Sequence, residues 1–263
     1  MQYADAAPWL IRCLRCLRLA LHFGQIGVGS ALIYPFASQE KRAALKQHWS
    51  KRVLTLLAVE IDAPALAVPG GCLIVANHIS WLDIFAINAV RPAAFISKSE
   101  VRGWPFFGWM AARNDTIFLR RGSRGHAKEI NGEIDALLAG GRDVAVFPEG
   151  MTSDGTHLRS FHAALLQPAV ETGRPILPLA ISYHDANGQR SLAPSYAGDT
   201  TLLQCFAAIL ACRSLSVRVI AAPPIETPGR SRRELAQLAH QAIADRLFPQ
   251  ASTTAQNEDR SGA

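Results

Sequence analysis

A histidine and a carboxylate stand five residues apart in Asn77-His78-Ile79-Ser80-Trp81-Leu82-Asp83, directly after the apolar run Cys72–Ala76. A short apolar run followed by a helical pattern predicts a strand exit, where α/β sheets present reactive side chains. On one ideal helix residues i and i+5 diverge, so the two side chains meet only if His78 lies in the turn before the helix. There Asp83 fixes the imidazole tautomer and raises its basicity, as a general base acting on a hydroxyl requires. The same residues carry a plainer meaning. Ser80-x-x-Asp83 is a capping-box pattern for the helix that starts there, and His78 is then only a turn residue. Capping accounts for Ser80 and Asp83 and leaves His78, Asn77 and Trp81 at the same strand exit unexplained.

A second strand-like run, Asp143–Phe147, ends in Pro148-Glu149-Gly150. By itself this is a good turn sequence with a solvated acid. If both runs belong to one sheet, Glu149 and the backbone N–H groups near Gly150 reach the rim that carries His78 and Asp83, and such N–H groups suit a developing oxyanion. Lys98, with the Arg120-Arg121 pair after Ile117-Phe118-Leu119, places cations at further strand exits, where they are either solvated or available to an anionic group. No Gly-x-Ser-x-Gly elbow is present, so Ser80 fits a cap or supporting donor, with Asn77, better than a nucleophile. Neither a dinucleotide-binding glycine fingerprint nor a P-loop occurs.

The elements that must position these residues follow from the pattern of the chain. Strand-like runs at 73–76, 93–96, 116–119, 143–147, 176–182 and 216–221 alternate with helical stretches at 81–90, 123–138, 162–172, 200–210 and 232–247. That alternation predicts an α/β fold with a mixed, mostly parallel sheet flanked by helices. A further amphipathic helix is expected over 43–59. Residues 37–249 form the α/β domain in this division, and the small polar residues 250–263 are expected to be a disordered tail.

Residues 1–36 differ in character. Residues 1–60 hold eight lysines and arginines against three acids, so nearly all of the net charge of +6 lies there. Arg12, Arg15 and Arg18 lead into the apolar stretch Leu19–Phe36, interrupted by His22, Gln25, three glycines and Ser30. A basic, apolar segment of this kind is expected to dock on an anionic membrane surface, by shallow insertion or as a helical hairpin rather than as a spanning helix. A charged fraction of only 18% and a slightly positive mean hydropathy agree with an apolar surface that needs covering. Five scattered cysteines fit reduced thiols and a cytoplasmic location; Cys13-x-x-Cys16 lacks a second pair for zinc. The basic residues alternate with apolar ones and form no aromatic-rich polar platform, so no nucleic acid is expected.

Taken together, Asn77-His78-x-Ser80-x-x-Asp83, Pro105-x-x-Gly108 with Ile117–Arg120, Phe147-Pro148-Glu149-Gly150 and, more weakly, Ile176-Leu-Pro178-Leu resemble the four ordered motifs of the glycerolipid (lysophospholipid) acyltransferase family. The resemblance covers roughly Gly70 to Pro178. It implies an O-acyltransferase at the cytoplasmic face of the inner membrane, moving a fatty acyl group from an acyl-ACP or acyl-CoA thioester to a lysolipid hydroxyl, with no cofactor and no metal. His78 and Asp83 are then the catalytic pair, and Lys98, Arg120, Glu149 and Gly150 contact substrate. One departure stands out: the family usually continues Thr-Arg-Ser after the glycine, and this chain reads Met151-Thr152-Ser153. The arginine associated with an acceptor phosphate is missing; lysophosphatidic acid is the first expected acceptor, with lyso-ornithine lipid or another lysophospholipid as the alternative. Two other classes compete: a metallohydrolase drawing on His78, Asp83, Glu149, His157 and His162, and a membrane adaptor without activity.

Overall fold

The computed structural model describes residues 6–64, 68–119 and 124–249. In chain order the elements are α1 (Trp9–Leu32), α2 (Gln39–Leu56), β1 (Val59–Asp62), β2 (Leu73–Ala76), α3 (Leu82–Val90), β3 (Ala93–Lys98), α4 (Phe107–Arg113), β4 (Ile117–Leu119), α5 (Arg124–Ala139), β5 (Asp143–Val146), α6 (Gln167–Thr172), β6 (Ile176–His184), α7 (Leu202–Ala211), β7 (Leu215–Ala221) and α8 (Arg232–Leu247). The seven strands form one sheet in the order β1-β7-β6-β2-β5-β3-β4. Every neighbouring pair is parallel except β6 with β7. The α/β fold with a mixed, mostly parallel sheet is therefore present.

Alternation along the buried strands sends side chains to two cores. Ile74 and Ala76 face the core shared with α1, α2, α3 and α7, while Leu73 and Val75 face the core shared with α5, α6 and α8. Helical spacing does the same for the covers: Ile130, Ile134 and Leu138 of α5, and Leu235, Ala239, Ile243 and Leu247 of α8, each form one buried stripe.

Of the two forms expected for the N-terminal segment, the hairpin is not formed: a single helix begins at Trp9 and continues to Leu32. Its non-lipid-like residues turn inward. His22 Nε2 lies 3.1 Å from the Trp49 carbonyl, Ser30 Oγ accepts from Asn114, and at Gly29 a Cβ would stand 2.7 Å from the Trp49 ring. Small and polar residues let α2 and α4 approach closely, and Leu19 and Ile26 join the main core. The outward stripe Leu10, Leu14, Leu17, Leu21, Val28 and Leu32 is exposed, and Phe36 beyond it is 87% exposed. Among the described residues no helix is long and apolar enough to cross a membrane.

The basic residues of α1 also behave unexpectedly. Arg15 donates to the carbonyls of Cys212 and Arg213 at 2.6 and 2.8 Å, just past the C-terminus of α7, where a cation satisfies free carbonyls and complements the helix dipole. Arg12 donates to the Ala7 carbonyl, leaving Arg18 exposed. The expected helix over 43–59 instead spans Gln39–Leu56, with Ser38 accepting from the Lys41 N–H as its cap, and the chain turns at Leu57 into β1. The expected tail, residues 250–263, lies outside the described residues.

Candidate active site

The four parallel strands β6, β2, β5 and β3 end on the same edge of the sheet, and the site is built where β2 and β5 stop. His78 leaves β2 two residues after Ala76, and its ring stacks on Phe147 after β5, with centroids 4.0 Å apart and planes 10° from parallel. Its backbone is held at both polar atoms by the loop after β5: the N–H donates to Glu149 Oε1 at 2.7 Å, and the carbonyl accepts from the Ser153 N–H at 2.8 Å. On the other side Asn77 closes a two-way bond to the Ile181 backbone, accepting from its N–H at 2.7 Å and donating to its carbonyl at 3.0 Å. The histidine's backbone is thus fixed by both neighbouring strands before its ring acts.

His78 Nδ1 lies 2.8 Å from Asp83 Oδ2. The same oxygen accepts from the N–H groups of Ile79 and Ser80 at 2.7 and 2.9 Å, and Oδ1 accepts from the Tyr183 hydroxyl at 2.7 Å. Asp83 is fully buried, whereas the His78 side chain keeps 20% of its exposure. With Nδ1 turned to a carboxylate, Nε2 is the ring nitrogen available to a substrate hydroxyl. The capping box expected between Ser80 and Asp83 is not formed: α3 begins after Trp81 with no side-chain cap, and Asp83 reaches back to the N–H groups of the preceding turn.

Glu149 is 3% exposed, and each oxygen takes a backbone N–H, from His78 and from Arg159 (3.1 Å). Burial pushes its carboxyl above the usual range, against the pull of those two donors. In this position it staples the turn after β2 to the loop after β5. Gly150 has φ +72°, and its N–H closes the Pro148-Glu149 turn onto the Phe147 carbonyl at 3.1 Å, so that amide is not offered to an oxyanion. Lys98 ends β3, exposed, and β5 separates it from β2, placing its strand roughly 10 Å from β2. Arg120 lies outside the described residues, and so does Arg121. Ser80 is buried with Asn77. His157 is on the exposed loop, 3.5 Å from Asp154 Oδ1, and the His162 N–H bonds the Pro148 carbonyl. Thr152, at the position of the missing arginine, donates its hydroxyl to the Tyr196 carbonyl. Arg159 Nη1 lies 3.2 Å from Met151 Sδ.

Tyr183 and Ser153 are the site residues the sequence did not reveal. Tyr183 stands one hundred residues after Asp83 in an unbroken buried strand, where nothing in the local pattern separates it from an ordinary core aromatic.

A strand-exit His–Asp pair of this geometry is suited to general acid–base chemistry on a substrate hydroxyl, and comparison with known proteins gives the class of reaction. Residues 59–182 match the Acyltransferase family model. The chain is 36% identical over 247 residues to lyso-ornithine lipid O-acyltransferase of Pseudomonas aeruginosa, covering 90% of this chain and 95% of that protein. It is 42% identical over 218 residues to 1-acyl-sn-glycerol-3-phosphate acyltransferase of Neisseria meningitidis serogroup B, covering 82% and 85%. The fold is shared with the crystal structure of the 1-acyl-sn-glycerophosphate acyltransferase PlsC from Thermotoga maritima, with a TM-score of 0.65 at 23% identity over 90% of this chain and 96% of that one. The chain belongs to the acyltransferase family.

Proposed function

We propose that this acyltransferase moves a fatty acyl group from an acyl-ACP or acyl-CoA thioester to the hydroxyl of a lysolipid, with lysophosphatidic acid as acceptor and phosphatidic acid as product. The observation that carries this reading is the 2.8 Å contact between Nδ1 of the partly exposed His78 and the buried Asp83, which leaves Nε2 as the ring nitrogen for a substrate hydroxyl. Nε2 takes the hydroxyl proton as the oxygen attacks the thioester carbonyl carbon. The C–S bond then breaks, and the departing thiolate recovers the proton from the imidazolium. Asp83 holds the tautomer and stabilises the imidazolium, and proton transfer of this kind contributes about 10² to 10⁴-fold in rate.

Membrane attachment is peripheral in this reading, at the cytoplasmic face of the inner membrane. The exposed stripe of α1 supports it, as do Phe106, Phe107 and Trp109 beside it, since α1 meets this aromatic group through the 5.4 Å contact of Phe23 with Phe107. A large contiguous apolar surface needs a bilayer or a partner to cover it.

A second acceptor, lyso-ornithine lipid, is favoured by Thr152, whose hydroxyl is turned to Tyr196 where an arginine would meet a phosphate. The test is transfer from labelled acyl-ACP and acyl-CoA to both acceptors by the purified protein. Transfer that is abolished in His78→Ala at unchanged melting temperature supports the reading, and a mutant keeping more than about a tenth of wild-type transfer defeats it. The acceptor with the higher kcat/KM decides between the two headgroups.

A further inference from the structure

β6 outruns its neighbour β2. Ala76 at the end of β2 pairs with Leu179, and β6 continues through His184. The five extra residues form a wall beside the turn that carries His78. Ile181 grips Asn77 through its backbone, and two residues on, the Tyr183 side chain reaches Asp83. From this geometry we infer that Tyr183 is a positioning residue: its hydroxyl holds Asp83 ionised and oriented, and through Asp83 sets the basicity of His78. The inference rests on the reading of His78 as general base.

Among the described residues the carboxylate has four donors, and they are unevenly placed: three converge on Oδ2, while Oδ1 has Tyr183 alone. Asp83 is fully buried and Tyr183 is 2% exposed, so bulk solvent does not reach Oδ1. A buried charge retains its ionised form through the hydrogen bonds it accepts, and charge-assisted ones are the strong ones. The phenol itself stays protonated, since burial and the Asp83 charge both raise it. It is therefore a fixed donor across the working pH range.

A plainer account has the acid merely satisfying a core tyrosine. The two accounts differ in what Tyr183→Phe does to pH dependence. Without the phenol, Oδ1 is left buried and bare, the negative charge is less dispersed, and the imidazolium beside it is held more tightly. The acid limb of the pH–rate profile then moves up by about 0.5 to 1 pH unit. The other titratable groups packed around the pair are Glu149, whose carboxylate meets the His78 N–H, and Cys205 of α7, whose thiol burial raises. Glu149 has no contact with the phenol, and Cys205, whose charge would act on Tyr183, is kept a neutral thiol by its burial.

The experiment measures acyl transfer by wild type and Tyr183→Phe across the acid limb, repeats the substitution on Asp83→Asn, and records the melting temperatures. Loss of about three- to tenfold below the limb is expected, with a plateau within about twofold of wild type, and less than about twofold further loss on the Asp83→Asn background. Superimposed profiles, or the same fractional loss at every pH and in both backgrounds, overturn the inference. A readout that needs no turnover separates it from the catalytic reading: the downfield Nδ1–H proton resonance of His78, identified by its absence in His78→Ala. If Tyr183→Phe leaves that resonance unmoved, Tyr183 does not act through Asp83. If it moves but His78→Ala still transfers acyl groups, the base assignment fails and the positioning survives.

Discussion

Asp83→Asn isolates charge from geometry in this site. An amide in place of the carboxylate has one accepting oxygen and one donating nitrogen. The N–H groups of Ile79 and Ser80, at 2.7 and 2.9 Å, both need an acceptor at the Oδ2 position, so the amide oxygen must sit there. The amide nitrogen then faces the Tyr183 hydroxyl, which can rotate to accept. His78 Nδ1 still meets an acceptor, so the productive tautomer survives and only the negative charge is lost. With the tautomer kept, the loss in kcat falls at the lower end for such pairs, about 10² to 10³-fold, or about 3 to 4 kcal/mol in the transition state. The fold pays little: charge-assisted bonds become neutral ones, the desolvation of a buried charge is removed, and the net is about 1 kcal/mol, a shift of about 2 to 4 °C in Tm. Asp83→Ala, by contrast, leaves buried donors without an acceptor and should destabilise by about 3 kcal/mol or more. The assay is initial-rate acyl transfer in mixed micelles beside a thermal melt of the same samples. If Asp83→Asn keeps activity within about tenfold of wild type while its Tm falls by more than about 10 °C, Asp83 is a structural cap and the acid–base account is wrong.

Replacing Leu14, Leu17 and Leu21 together by Asn should release the protein from vesicles with its melt unchanged, because all three are exposed and each apolar side chain buried in a bilayer contributes about 1.5 kcal/mol or more; retained binding would move the docking face elsewhere. Arg18→Glu should weaken attachment to anionic vesicles about tenfold and to zwitterionic ones scarcely, whereas Arg15→Glu should show mainly in the melt, since Arg15 holds the carbonyls beyond α7. Thr152→Arg should shift kcat/KM toward lysophosphatidic acid relative to lyso-ornithine lipid by about tenfold through a charge-assisted phosphate contact; equal losses on both would point to the broken Tyr196 bond instead. Asp115 accepts from the Tyr34 hydroxyl and pairs with Lys46 at 2.9 Å and Arg142 at 2.6 Å, tying α2 and the turn after α1 to the sheet. Burial alone would raise its carboxyl, but Lys46, Tyr34 and Arg142 outweigh that and hold it below the usual range. Its stabilisation is therefore present above about pH 4 and lost as pH falls further. Asp115→Asn, which tolerates the left-handed φ of +62°, should cost about 3 kcal/mol at pH 7 in urea melts and flatten the acid side of the stability profile; an unchanged profile refutes the assignment.

What was legible in the sequence was local. Short apolar runs bounded by turn residues marked β2 and β5 with their exits. A helical stretch was expected over 232–247, and α8 is found there, with Ser231 as its cap. β1 was not read at all, with only its first residue, Val59, placed at the end of the expected helix, because a four-residue edge strand carries too few residues to show its own period. α1 misled for a different reason. Glycines, His22 and Ser30 inside an apolar stretch look like breaks when the outward face is assumed to be polar. Here the faces are reversed, with small and polar residues packed against α2 and α4 and leucines facing out.

The catalytic and capping meanings of Asp83 competed in the sequence because a pattern read along the chain offers each side chain one partner. The structure removes the competition: one oxygen of Asp83 receives the imidazole and both N–H groups of the turn that carries it. The bonds from the Ile79 and Ser80 N–H groups are what deliver His78 to the carboxylate, since they draw the turn back over the start of α3. A residue placed this way cannot be classed by whether its loss destabilises the protein, because stability and activity pass through the same atom. Only a substitution that keeps the acceptor and removes the charge divides them, and the donors at Ile79 and Ser80 make asparagine that substitution.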